Sequence, residues 1–224
     1  MKLSILLFDG FTALDIVGGY EVLARLPGVQ TSFVADRSGV VAADTRRLGM
    51  VAYETYESAA QTDILYVPGG PGVVTALADP RLLDYIARAH AAATWTLGIC
   101  NGVALLGAAG LIAGKTVTTN WSWRERVAAY GADVLPARYH RDGNLVTGAG
   151  VSASIDAGLF LAGLIGGEGL ARALQLGIEY YPAPPFGGSS PDEAPEEIKA
   201  MIRAYETSPA AEAVMQAKPP FPAP

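Results

Sequence analysis

Apolar residues in this chain follow two rhythms. Some stretches are uninterrupted, as in a strand buried on both faces, and others recur every three or four residues, as in a helix packed along one side. The first uninterrupted run is LSILLF at 3–8. Too short and too lightly charged in front to read as a secretory leader, it predicts a first strand. From Leu14 the rhythm turns helical, with Ile16, Tyr20, Leu23 and Ala24 forming a stripe that ends near Pro27 and Gly28. Residues 31–35 read as the next strand and 50–53 as part of a small β excursion, so a βαβ unit is visible. A third buried strand, DILYV at 63–67, stops at Pro68-Gly69-Gly70-Pro71-Gly72, which can continue neither regular structure.

The spacing predicts a helix over 80–92 and a strand over 94–99. After Cys100 a helical stripe runs through Val103, Leu106 and Leu111, with Gly110 as its cap, and a strand follows at 116–119. Two β runs at 134–139 and 145–147 flank Asp142-Gly143-Asn144, a hairpin signal, before helices at 152–164 and 168–179. Strands alternating with helices give an α/β fold with a doubly wound, mostly parallel sheet and helices on both faces. No linker interrupts 1–195, read as one domain; 196–224 is read as a C-terminal helix and a Pro-rich tail of the same domain, PPFPAP having no helical option. The uncharged stretch 91–114 is long enough to cross a bilayer, but its glycines, Thr94, Thr96, Asn101 and the break near Gly98 fit a buried strand and helix better.

Composition narrows the function. Half of the 224 residues are hydrophobic and 17% charged, ample for a filled core, and the net charge of -6 repels phosphate backbones and anionic lipid, so neither nucleic acid nor membrane is an expected partner. A single cysteine forms no internal disulfide, which makes the cytoplasm the expected compartment.

That cysteine lies in TLGICNGVALL at 96–106, where a strand gives way to a helix. At the carboxyl edge of a parallel sheet, loops and helix N-termini converge, and a thiol there faces backbone N–H groups and a helix dipole, which favour thiolate. Gly98 and Gly102 flank it as in a strand–turn–helix nucleophile elbow; the plainer alternative is an inert buried cysteine. The glycines at 69, 70 and 72 suit a loop offering bare N–H groups to an oxyanion, or simply a turn. Only His90 and His140 are available as imidazole bases, and neither is well placed, one near a helix end and the other in a short β run. A carboxylate is therefore the expected acid–base partner, with Asp15 the first candidate and Glu21 the second, against the alternative that Asp15 caps its helix.

The stretches LDIVG, VPGGPG, GICNGVALLGAAGLIAGKTVTTNW, RDGNLVTGAG and EYYPAPPFGGSSPD resemble the ThiJ/PfpI superfamily, and within it the bacterial isonitrile hydratases, from about residue 3 to 195. The resemblance implies a flavodoxin-like, class I glutamine amidotransferase-like sheet in a catalytic domain over 1–195, a homodimer, and neither metal nor organic cofactor. It also implies Cys100 as nucleophile, Asp15 as its acidic partner, and Gly70 with Asn101 as donors beside the site. Two positions depart from that subfamily's pattern: Asn101 stands where it carries threonine, and Asn120 where it carries histidine. Both put an amide near the expected pocket, to bind substrate or water, or to cap a helix and satisfy a loop. Trp121 and Trp123 are expected in core packing rather than as pocket walls.

The implied chemistry is hydration of an isonitrile to an N-substituted formamide. Cys100 attacks the terminal carbon, Asp15 supplies the proton that gives a thioimidate, and water then adds and releases product. Asp15 must be protonated when substrate arrives, which burial beside the sulfur favours. The rivals are a glyoxalase-type or other small-molecule enzyme of the same fold, and a cysteine redox sensor. A transcription regulator is not expected, because the acidic segment after Pro195 is too short for a DNA-binding module.

Overall fold

The computed structural model describes residues 1–59, 61–187 and 190–221. Along the chain run β1 (Lys2–Leu6), α1 (Ala13–Leu23), β2 (Gln30–Ala35), β3 (Gly39–Ala42), β4 (Gly49–Ala52), β5 (Glu54–Thr55), β6 (Ile64–Val67), α2 (Val73–Ala76), α3 (Pro80–Ala92) and β7 (Trp95–Ile99). There follow α4 (Gly102–Ala108), β8 (Thr116–Val117), a 3₁₀ turn (Trp121–Trp123), α5 (Arg124–Ala128), β9 (Asp133–Val134), β10 (Tyr139–Asp142), β11 (Leu145–Gly148), α6 (Ala153–Gly166), α7 (Glu168–Gly177), α8 (Glu196–Glu206) and α9 (Pro209–Gln216).

Seven strands form the main sheet in the order β10-β11-β7-β6-β1-β2-β5. All neighbours are parallel except the β10–β11 hairpin at one edge, whose two-residue turn places Gly143 at φ 62°. Every residue of β6 and β11 is buried, as strands covered on both faces require. One layer pairs α1 with α6 and another pairs α3 with α4. α1 and α6 close tightly because Gly18 faces Ser154 and Ile155 at the start of α6 and Gly158 of α6 faces Gly19; a Cβ added at Gly158 would lie 3.2 Å from the Gly19 Cα. The uncharged stretch at 91–114 is β7 and α4, both largely buried, and no helix of the described residues is long and apolar enough to cross a membrane.

Local chemistry explains the clearest match between pattern and structure. Asp79 caps α3, its carboxylate accepting the N–H groups of Arg81 and Leu82, Pro80 begins the helix, and Leu82, Tyr85, Ile86 and Ala89 form its buried stripe. Differences concentrate where packing is slight. The stripe after Cys100 ends at Ala108, so Leu111 lies beyond the helix. The β excursion is a hairpin of β3 and β4 outside the main sheet. Beyond Pro195 there are two helices, α8 and α9, in place of the single one expected. Three tail residues, 222–224, and Gly188 with Ser189 of the EYYPAPPFGGSSPD stretch, lie outside the described residues.

Candidate active site

Four adjacent strands end at one place, and each contributes to it. β11 leads into the loop 149–152, β7 into Cys100, β6 into the glycine loop at 68–72, and β1 into the turn before Asp15. This is the carboxyl edge of the parallel sheet, where open α/β folds gather reactive groups.

Cys100 holds a left-handed backbone, φ 57°, which costs a non-glycine residue about 1–2 kcal/mol. Two bonds fix it there: its N–H donates to the Gly148 carbonyl at 2.9 Å, and its carbonyl accepts the Thr119 hydroxyl at 2.7 Å. The flanking glycines let α4 close over the strand ends. A Cβ at Gly98 would lie 2.6 Å from the Leu106 Cδ1, and one at Gly102 would lie 2.9 Å from the Val67 carbonyl oxygen. The elbow geometry expected from the sequence is present.

Asp15 lies in the first turn of α1 and is fully buried. Its Oδ2 accepts the Gly69 N–H at 2.8 Å, and its Oδ1 has no hydrogen-bond partner among the described residues. Its backbone carbonyl accepts the Tyr66 hydroxyl. Burial pushes the carboxyl up from 3.8 to about 7, against the opposing pull of the Gly69 N–H and the Cys100 thiol, and with a further push from Asp44. A carboxyl near neutrality with one free oxygen is equipped to hold and hand over a proton.

The sulfur differs from expectation. Burial, and then the charge of Asp15, raise the Cys100 thiol well above its ordinary range, although the N–H groups of Asn101 and Val151 and the Asn120 amide pull the other way. Loss of water outweighs the donors of α4, a helix of only 7 residues. These surroundings oppose the ionisation that its position at a helix start suggested.

Gly70 and Asn101 are brought together in an unexpected way. The Asn101 Oδ1 accepts the Gly70 N–H at 2.8 Å, and its Nδ2 donates to the Gly70 carbonyl at 3.1 Å. The backbone donor expected to face an oxyanion is therefore occupied, and the Asn101 side chain holds a loop instead of facing substrate. Of the two roles weighed for Asn120, the structure shows the capping one. Its Oδ1 takes the N–H and hydroxyl of Ser122, capping the 3₁₀ turn, while its amide group faces the sulfur.

The remaining candidates lie away from the site. Glu21 pairs with Arg25 on the surface, the His90 Nδ1 lies 2.7 Å from the Thr96 hydroxyl, and His140 is on the edge strand β10. Trp123 packs partly buried against the core. Trp121 lies under the Arg203 guanidinium of α8, 5.0 Å from its ring centre. Three contributors escaped the sequence reading. The Thr119 hydroxyl had a signal in the TTNW stretch, Tyr66 looked like any apolar strand residue, and the Val151 N–H had no signal at all. Among the described residues, no three His, Cys, Asp or Glu side chains gather as a metal site would require.

The profile of the DJ-1/PfpI family matches residues 1–162. The chain belongs to the DJ-1/PfpI family. It is 40% identical over 198 residues to the isonitrile hydratase of Pseudomonas putida, spanning 88% of this chain and 86% of that protein. Among solved structures, a ThiJ/PfpI family protein from Pseudomonas syringae superposes with a TM-score of 0.87 at 34% identity, covering 96% of this chain and 90% of that one. A cysteine-to-alanine mutant of a DJ-1 superfamily protein from Salmonella typhimurium superposes with a TM-score of 0.72 at 29% identity, covering 81% and 99%. At 96% of this chain, the likeness to the Pseudomonas syringae protein extends beyond residue 162 into the C-terminal third.

Proposed function

We propose that this protein hydrates isonitriles to N-substituted formamides, with Cys100 as nucleophile and Asp15 as proton carrier. The observation that carries the reading is the buried Asp15 carboxyl, with an unpartnered Oδ1, beside the only cysteine of the chain in a strained elbow. The 40% identical isonitrile hydratase supports the substrate class.

Both groups start protonated. Since Oδ2 accepts the Gly69 N–H, Oδ1 carries the proton of Asp15. As the sulfur attacks the terminal isonitrile carbon, Asp15 gives its proton to that carbon and takes the thiol proton in return, leaving the thioimidate RN=CH–S–Cys100. Water adds across the C=N bond, and collapse of the adduct restores the thiol and frees RNH–CHO. The relay needs no imidazole, in keeping with the distance of both histidines from the site, and it needs the acid form of Asp15.

The test is formamide production from cyclohexyl isonitrile, followed by the wild type, Cys100→Ala and Asp15→Asn. The expected result is turnover by the wild type alone; unchanged turnover in either variant removes that residue from the mechanism. The homodimer and the cytoplasmic setting belong to the same reading. Exposed Leu176, Tyr181, Met201 and Tyr205 offer apolar surface for a second copy, and sedimentation of the purified protein at the mass of a single chain would refute that part.

A further inference from the structure

We propose that the tip of the β3–β4 hairpin is a working part of this site, with Asp44 as a positioning residue that fixes the turn before Asp15 and sets an unpaired negative charge against it. The inference rests on the Asp15 reading and deepens it. The hairpin forms a two-stranded sheet of its own, outside the main one, yet its tip grips every residue of the turn 9–12. Arg46 donates to the Asp9 carboxylate at 2.7 Å, and the Gly10 N–H donates to the Ala42 carbonyl at 2.9 Å. The Phe11 carbonyl accepts the Asp44 N–H at 2.9 Å, and the Thr12 hydroxyl donates to the Asp44 Oδ2 at 2.7 Å. From the opposite side the glycine loop holds the same turn: the Gly72 N–H donates to the Gly10 carbonyl at 3.0 Å and the Thr12 N–H to the Gly69 carbonyl at 2.9 Å. Three residues on stands Asp15, whose own N–H donates to the Thr12 carbonyl at 3.1 Å.

Two features of this grip are costly as structure alone. Thr12 is the N-cap residue of α1, but its hydroxyl goes to Asp44 and makes no cap bond to the helix. Arg46 is buried in a left-handed backbone, φ 60°, which strains a residue that carries a Cβ. The charges are arranged with the same selectivity. Arg46 and Arg47 lie two and three residues after Asp44, but Arg46 bonds Asp9 and the Ala217 carbonyl, and Asp44 forms no salt bridge among the described residues. Its oxygens take the Thr12 hydroxyl and the Thr45 N–H, neutral donors that leave its charge uncancelled. Around Asp15, the Gly69 N–H and the Cys100 thiol favour the carboxylate, the Tyr66 hydroxyl is spent on the Asp15 backbone carbonyl, and Asp44 opposes ionisation. A like charge held close keeps a proton on a carboxyl, and the relay needs that acid form. Burial does most of this, and Asp44 supplies the part that a substitution can remove without opening the site.

Asp44→Asn keeps an oxygen for the Thr12 hydroxyl and removes the charge, whereas Thr12→Ala keeps the charge and unties it from α1. The first readout is the carboxyl carbon-13 resonance of Asp15 in protein labelled at its aspartate carboxyls, assigned by its loss in Asp15→Asn and titrated from pH 4 to pH 9. The expected result is a midpoint moved to lower pH in Asp44→Asn, and moved in the same sense by less in Thr12→Ala. The second readout is kcat/KM for cyclohexyl isonitrile at pH 8 divided by that at pH 5, a ratio in which a pH-independent loss of packing cancels. It should be about threefold lower in Asp44→Asn than in the wild type, the factor for a midpoint lowered by about half a pH unit. An unmoved midpoint or an unchanged ratio in folded Asp44→Asn overturns the proposal; should that variant not fold, an unmoved midpoint in Thr12→Ala does so. If the wild type turns over no isonitrile, the substrate reading fails on its own, and the carbon-13 titration, which needs no substrate, still decides the role of Asp44.

Discussion

Replacing Asp15 by asparagine should abolish turnover and, at the same time, remove a pH-dependent cost to stability. The carboxyl titrates near 7 in the folded protein against 3.8 in the free state, because burial denies the carboxylate its water. Between those values the unfolded chain has released its proton and the folded protein has not, so stability falls as pH rises. The contribution is fully present below about pH 4, declines through the window up to about 7, and is constant above it. The total is about 4 kcal/mol, at about 1.4 kcal/mol for each tenfold change in proton affinity. Asparagine keeps an oxygen for the Gly69 N–H and carries no charge. Its amide inherits the missing partner of Oδ1, a penalty of about 1–3 kcal/mol that is the same at every pH. The diagnostic is therefore the slope: stability of Asp15→Asn relative to wild type should rise by about 4 kcal/mol between pH 4 and pH 8. Urea unfolding followed by tryptophan fluorescence at pH 4, 6 and 8 measures it, and a difference that does not vary with pH refutes the argument. Wild-type kcat/KM should fall above about pH 7 for the same reason, since the relay requires the acid form of Asp15.

Two further outcomes follow from the same geometry. Asn120→Ala removes an amide that faces the sulfur and a cap of the 3₁₀ turn; the thiol should become still harder to ionise, seen as slower iodoacetamide alkylation at pH 8, with about 1 kcal/mol of stability lost. Gly69→Ala places a methyl group 2.9 Å from the Asn101 backbone nitrogen and 2.9 Å from the Cys100 Cβ, so unfolding should become easier by about 1–3 kcal/mol and turnover should fall even though both chemical groups remain; a variant with wild-type activity would show that this contact is not tight.

Much of the architecture was legible because its causes are local. LSILLF, DILYV and TWTLGI are short, largely apolar stretches without a helical period, as strands covered on both faces are, and the Asp79-Pro80 start of α3 is written in two residues. The elbow was legible for a related reason, since glycines two residues either side of a cysteine allow α4 to come close. The short elements were not, because pieces such as α2 and β5 carry too few residues for a period to appear.

The sequence by itself determined the alternation of strands and helices and the elbow at Cys100, and its two ill-placed histidines directed attention to a carboxylate near that elbow. Tertiary structure alone decided the protonation of that pair and the donors around it. Pairing of Gly148 with Ile99 across neighbouring strands brings Val151 to a sulfur about fifty residues away in the chain, and the loop from β6 supplies Gly69 to Asp15 and Gly70 to Asn101. A thiol at the head of a helix reads as an ion while its surroundings are unknown. Once the chain closes over it, the cost of removing water from a charge exceeds what three weak donors return, and the proton stays.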